Sequence, residues 1–206
     1  MKKILIIFAI VLTLIFLIKA VFWNNIDFLC VMAGASGKPS AFHNFFMDRI
    51  YKIAERRDIS KILIDNLRKD NKEALHGLFL RILGVIGEKN ALNDFMSIYF
   101  KHQDENKSLV LYYVLNSIGL LGEEKAVIFL ENIINRKGQW DLLNYSIAES
   151  LYLLTGKKYD FINPKGDMQD FYPTDEVLRA RDVILATKDR KRSFQEMIIL
   201  DILFSR

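Results

Sequence analysis

Apolar residues recur at steps of three and four along most of this chain. Between residues 71 and 136 the pattern is written twice. In the first copy Leu75, Leu78, Phe79, Ile82, Leu83 and Ile86 lie on one face of a 3.6-residue helix. In the second, Val110, Tyr113, Val114, Ile118 and Leu121 do the same, with Ser117 the one polar residue on the face. Leu83-Gly84-Val85-Ile86-Gly87-Glu88 ends the first run, and Ile118-Gly119-Leu120-Leu121-Gly122-Glu123 ends the second, 35 residues later. Gly87 and Gly122 stand where a left-handed residue closes a helix. Gly84 and Gly119 lie one turn inside, where glycine costs about 1 kcal/mol relative to alanine. A repeated cost implies a repeated need, and close helix–helix approach supplies one. Glu88 and Glu123 read as caps for the helices that follow.

A second apolar stripe follows each turn: Leu92, Phe95, Met96 and Tyr99, then Val127, Leu130 and Ile134. One hairpin cannot bury both stripes, so neighbouring pairs must stack. The unit extends upstream with Phe42, Phe46, Ile50 and Ile53 as a first helix and Ile59, Ile62 and Leu63 as a second, Ala54 replacing the glycine. Downstream, Ile147, Leu151 and Leu154 lead to Thr155-Gly156, and Trp140 and Tyr145 open this fourth unit as core residues. The expected fold is all-α, an α-solenoid of stacked antiparallel helix pairs preceded by one N-terminal hydrophobic helix.

The 33–35 residue period, the Leu-Gly-x-x-Gly-like turns and the closing Leu153-Leu154-Thr155-Gly156 resemble short HEAT-like repeats of the kind found in bacterial proteins and in phycobilisome-lyase relatives. The resemblance covers residues 42–161 and implies a concave face that binds other macromolecules. It departs from the family at Ala54, and it carries no repeated proline and no regular Asp/Arg pair.

The N-terminus has a different pattern. Met1-Lys2-Lys3 precedes an apolar run from Ile4 to Ile18 broken only by Thr13, and Lys19 and Ala20-Val21-Phe22-Trp23 follow. Counted to Trp23 the run reaches the roughly 20 residues of a membrane span. Ile18 and Lys19 are poor residues for a signal cleavage site, which favours an uncleaved anchor over a cleaved signal. Lys2 and Lys3 lie before the span and no Lys or Arg lies in 20–37, so the positive-inside rule places the N-terminus in the cytoplasm. The expected location is a single-pass protein of the cytoplasmic membrane whose C-terminal domain is periplasmic or extracellular, with secretion after cleavage as the alternative.

The expected organisation is a 1–23 anchor or signal, a 24–40 connector, HEAT-like repeats over 41–161, a loop over 162–173 and a C-terminal helix pair over 174–206 that caps the stack. Thr174 and the Ser193-x-x-Glu196 capping box mark the starts of the last two helices. The run Lys188-Asp189-Arg190-Lys191-Arg192 reads as a solvated turn. The sharper alternative is contact with lipid phosphate or an acidic partner, together with Arg179 and Arg181.

Net charge is +4, of which residues 1–36 carry +2. The near balance of the remainder argues against nucleic acid as a partner. Gly37-Lys38 lacks the upstream glycine of a phosphate loop, and Pro39 follows it. The single cysteine, Cys30, excludes an intrachain disulfide. His43, His76 and His102 are isolated in sequence, with His43 and His76 at equivalent repeat positions, so packing accounts for them without metal. No catalytic, cofactor or metal residues are assigned. The expected function is a membrane-tethered scaffold that binds a protein partner. The alternative is an exported enzyme or lyase-like accessory protein with a pocket in the repeats. In the repeat register Lys61 aligns with Asp94 and Ser97 with Asn132, all off the apolar stripes, and these four are the expected binding surface on a concave face lined by the second helices.

Overall fold

The computed structural model describes residues 24–36, 40–69, 75–105, 109–135, 141–163 and 165–204. The expected anchor, the Gly37-Lys38 pair and Trp140 lie outside them. Among the described residues no helix is long and apolar enough to cross a membrane. Among the described residues the chain is mostly helical, with one small hairpin of strands. It divides into two compact units at Ile59/Ser60.

The first unit holds α1 (Ile26–Ala35) and α2 (Ala41–Arg56), which pack against each other. The connector expected over 24–40 is therefore largely helix. Asn25 caps α1 by accepting from the Phe28 N–H, and Ile26, Leu29, Cys30 and Ala33 bury one stripe. That short stripe is hard to tell from the apolar run preceding it. Ser40 caps α2 by accepting from the His43 N–H at 3.0 Å. The buried His43 ring lies 2.9 Å from the Ala33 carbonyl, which ties the start of α2 to the end of α1. At the other end Arg49 and Arg57 donate to the side chain and carbonyl of Asn24 at 2.8 and 2.5 Å.

The second unit holds α3 (Ser60–Leu67), α4 (His76–Ile86), α5 (Leu92–His102), α6 (Leu109–Leu121), α7 (Ala126–Ile133) and α8 (Asp141–Thr155). The hairpin β1 (Asp160–Ile162) and β2 (Met168–Asp170) follows, then α9 (Asp175–Ala186) and α10 (Phe194–Asp201). The first helix of each sequence repeat packs on the next: α4 on α6 and α6 on α8. The inner glycines make this possible. A Cβ built on Gly84 would lie 2.9 Å from the Ser117 Cα, and one on Gly119 would lie 2.8 Å from the Ser150 Cα. Ser150 uses the same contact to donate to the Leu115 carbonyl at 2.8 Å. Ser117, polar on an apolar face, is the small residue that Gly84 requires opposite it.

Gly87 and Gly122 have φ of +76° and +67°, the left-handed conformation expected at these helix ends. At α4 the Glu88 and Gly87 N–H groups donate back to the Leu83 and Gly84 carbonyls at 3.1 and 3.0 Å. The Glu88 carboxylate accepts from the Asn90 N–H at 3.1 Å, capping the short turn before α5.

The segment expected as a loop over 162–173 contains β2 and the turn before it. Asn163 Oδ1 accepts from the Lys165 and Asp167 N–H groups, closing the turn. Asn135, with φ of 59°, stands beside β1 in place of a third strand. Its amide accepts from the Ile162 N–H at 2.7 Å and donates to the Asp160 carbonyl at 3.2 Å. Phe161 and Phe171 pack against Tyr145 of α8.

The C-terminal pair reaches the first of the α4, α6 and α8 layer as well as the last. Helix α9 packs on α8, and α10 packs on α4. Arg81 of α4 donates twice to Asp201 at 2.5 and 2.6 Å, with both side chains largely buried. Phe204 stacks on Tyr113 of α6, ring centroids 5.9 Å apart. The capping box at Ser193 is present in full. Thr174 occupies the N-cap of α9 with extended backbone, but its hydroxyl makes no capping bond.

The charged run before α10 is not a solvated turn throughout. Arg192 is 4% exposed. It donates to the Gly84 and Val85 carbonyls at the end of α4 and to the Leu120 carbonyl at the end of α6, at 2.7–2.9 Å. The Val85 and Leu120 oxygens lie in the last turns, beyond the reach of intrahelical donors, which is why a guanidinium fits there. Burial pulls Arg192 down to about 10, so it remains charged at neutral pH. Over Gly156 the guanidinium of Arg181 takes the corresponding place.

Candidate functional site

The second helices α3, α5 and α7 present polar and apolar groups on their outer side. Their positions follow from the amphipathic pattern: Phe95 and Tyr99 turn inward on α5, and Phe129, Leu130 and Ile133 turn inward on α7. Helices α5 and α7 meet through aromatic rings, Tyr99 and Phe100 standing edge-on to Phe129 at centroid distances of 5.3 and 5.8 Å. The residue after α3, Arg68, reaches α5 and grips Asp94 with two hydrogen bonds of 2.7 and 3.0 Å. The hydrogen bond and the charge of Asp94 raise the Arg68 guanidinium above its ordinary value.

Beside this ion pair lies a cleft of about 210 Å³, lined by Leu67, Arg68, His76, Asp94, Ser97, Ile98, Lys101 and His102. His76 opens α4, and its Nε2 lies 3.4 Å from the Lys69 carbonyl. Both His76 and His102 are buried, and Ser97 and Lys101 are exposed. Helices α5 and α7 also carry large exposed apolar residues, Phe100 at 52% and Ile128 at 70% exposure.

Of the four residues expected to form a binding surface, Asp94 and Ser97 line this cleft together, one helical turn apart. Lys61 is exposed on α3, and Asn132 is exposed on α7 next to Ile128; neither lines the cleft. Arg68, His76, Lys101 and His102 were not in the sequence-derived set. Lys101 lies one turn beyond Ser97 and off the apolar stripe, a signal already present in the sequence. The approach of Arg68 depends on packing across 26 residues.

Chemically the cleft offers cationic and hydrogen-bonding groups, with its one carboxylate already engaged by Arg68. Among the described residues no group of three or more His, Cys, Asp or Glu side chains is arranged to hold a metal ion. Cys30 is buried in the first unit. No protein-family model, no curated protein and no solved structure matches the chain.

Proposed function

We propose that this chain is a membrane-tethered scaffold whose second unit is a HEAT-like array of helix pairs that binds a protein partner outside the cytoplasmic membrane. The reading rests on one observation above others. Helices α5 and α7 expose Phe100 and Ile128, both more than half exposed, and α5 also carries Ser97 and Lys101 of the cleft. Large exposed apolar groups rimmed by polar ones are the usual composition of a protein-binding patch. The stacking of α4, α6 and α8 through glycine contacts agrees with a repeat array. The tether rests on the Lys2-Lys3 start and the apolar run that ends at Trp23. Holding the domain at a membrane raises the local concentration of any partner there.

The test is photocrosslinking in the native membrane, from a reactive residue placed at Ser97, and at Leu185 of α9 as control. A discrete protein adduct at Ser97, absent at Leu185 and lost with Phe100→Asp, is expected. Adducts of equal yield from both positions would rule out this face as the binding surface.

A further inference from the structure

The first unit carries a surface that the scaffold reading does not use. On α2 the residues Phe42, Phe45, Arg49, Lys52 and Arg56 follow one another at steps of three, four, three and four. They form one narrow stripe along the helix. Phe42 is 71% exposed and Phe45 47%, Lys52 and Arg56 are exposed, and Arg49 is half-buried. The carboxylates of this helix, Asp48 and Glu55, lie on the adjoining stripe. The two aromatics occupy the first turns of α2 and the three cations the rest. The His43–Ala33 contact places the start of α2 beside the end of α1, where Val31 and Met32 are also exposed.

We propose that the α1–α2 hairpin lies flat on an anionic lipid bilayer. In this arrangement Phe42 and Phe45 enter the boundary between headgroups and acyl chains, and Arg49, Lys52 and Arg56 meet lipid phosphates. The proposal deepens the tethered-scaffold reading and rests on it. Aromatic side chains together with Lys and Arg are the residue types of a helix that lies in the interface plane, and on α2 the aromatics lead and the cations follow along one stripe. Each cation near an anionic leaflet contributes about 1 kcal/mol. The occupant follows from where the rest of the chain goes. The apolar run of 4–23 ends one residue before Asn24, and Arg49 and Arg57 bind Asn24 directly. Wherever that run enters a membrane, α2 is held against the entry point. Helix α1 spans about 15 Å at 1.5 Å per residue, so a flat hairpin brings both of its ends to the surface.

The test uses the full chain in lipid nanodiscs, with Cys30→Ala and an environment-sensitive fluorophore on a single new cysteine. Ala41→Cys reports on α2 and leaves both phenylalanines in place. Leu12→Cys reports on the apolar run, and Glu124→Cys on the second unit. Spin-labelled lipids with the label near the glycerol level should quench position 41, with position 124 read alongside as the second unit's own value. Quenching at 41 should increase when phosphatidylglycerol is added to phosphatidylcholine. It should fall at least about twofold with Phe42→Ser/Phe45→Ser and with Lys52→Glu/Arg56→Glu. Quenching at 12 with none at 41 would overturn the docking while leaving the tether intact. So would a water-shielded position 41 that no spin-labelled lipid quenches, because protein would then cover the stripe. An unquenched position 12 would remove the tether and this proposal with it.

Discussion

The guanidinium of Arg192 lies over Gly87 so closely that a Cβ on that glycine would stand 2.8 Å from its Cζ. One side chain thus closes the ends of two helices from different repeats, and the left-handed glycine leaves the room it needs. Arg192→Met leaves the Val85 and Leu120 carbonyls buried without their donor and takes one of two donors from the Gly84 carbonyl. With each orphaned group costing about 1–3 kcal/mol, a loss of about 3 kcal/mol is expected in denaturant unfolding. Arg192→Lys should recover only part of it, because a single ammonium cannot reach both helix ends.

Replacing an interior helix glycine with alanine ordinarily stabilises a helix by about 1 kcal/mol. Gly84→Ala and Gly119→Ala should do the reverse, each destabilising by about 1–3 kcal/mol, because the added methyl meets the backbone of Ser117 or Ser150. Thermal unfolding of the two variants checks the sign.

Glu196 supplies a leg of acid sensitivity. Its bonds to Arg190 and to Ser193 hold the carboxyl down at about 2, against an ordinary value of 4.5. The folded state therefore binds this proton less readily than the unfolded chain. Its contribution is present above pH 4.5 and is lost as pH falls toward about 2. Glu196→Gln should flatten that part of the stability–pH curve relative to the parent.

The hairpin has the opposite sign. Asp160 and Asp170 face each other across the strands. The hydrogen bond that protonated Asp160 donates to the Asp170 carboxylate raises the Asp160 carboxyl above its ordinary value, as do desolvation and the neighbouring charge. The folded state then holds the proton more tightly, and stability falls as pH rises through that raised value. Asp170→Asn should raise the melting temperature at neutral pH, and the gain should vanish below the ordinary aspartate range.

Much of the helical arrangement was legible because it repeats. Gly84 and Gly119 implied close contacts before any neighbour was known, and Ser193 with Glu196 marked the last helix through local chemistry alone. Arg192 was not legible. Its partners are main-chain oxygens, which leave no trace in the sequence, and its neighbours in the chain are exposed charges. Helix α1 was hidden because its short stripe of Ile26, Leu29, Cys30 and Ala33 follows a longer apolar run. The hairpin was hidden because Asn135, 25 residues before Asp160, supplies its edge. In the candidate site Asp94 and Ser97 followed from lying off the stripes, whereas Arg68 arrives by packing.

The central claim is that the outer side of α5 and α7 binds a protein. With the crosslinked partner purified, its affinity for the full chain is measured alongside Phe100→Asp/Ile128→Asp and the control Leu185→Asp on α9. All three residues are exposed, but Phe100 also packs on Phe129, so affinities are compared only for variants whose circular dichroism and thermal unfolding match the parent. Loss of two apolar anchors of about 1–2 kcal/mol each predicts a weakening of at least about tenfold for the double variant and none for the control. Equal affinity for parent and double variant, or a loss confined to Leu185→Asp, would contradict the account.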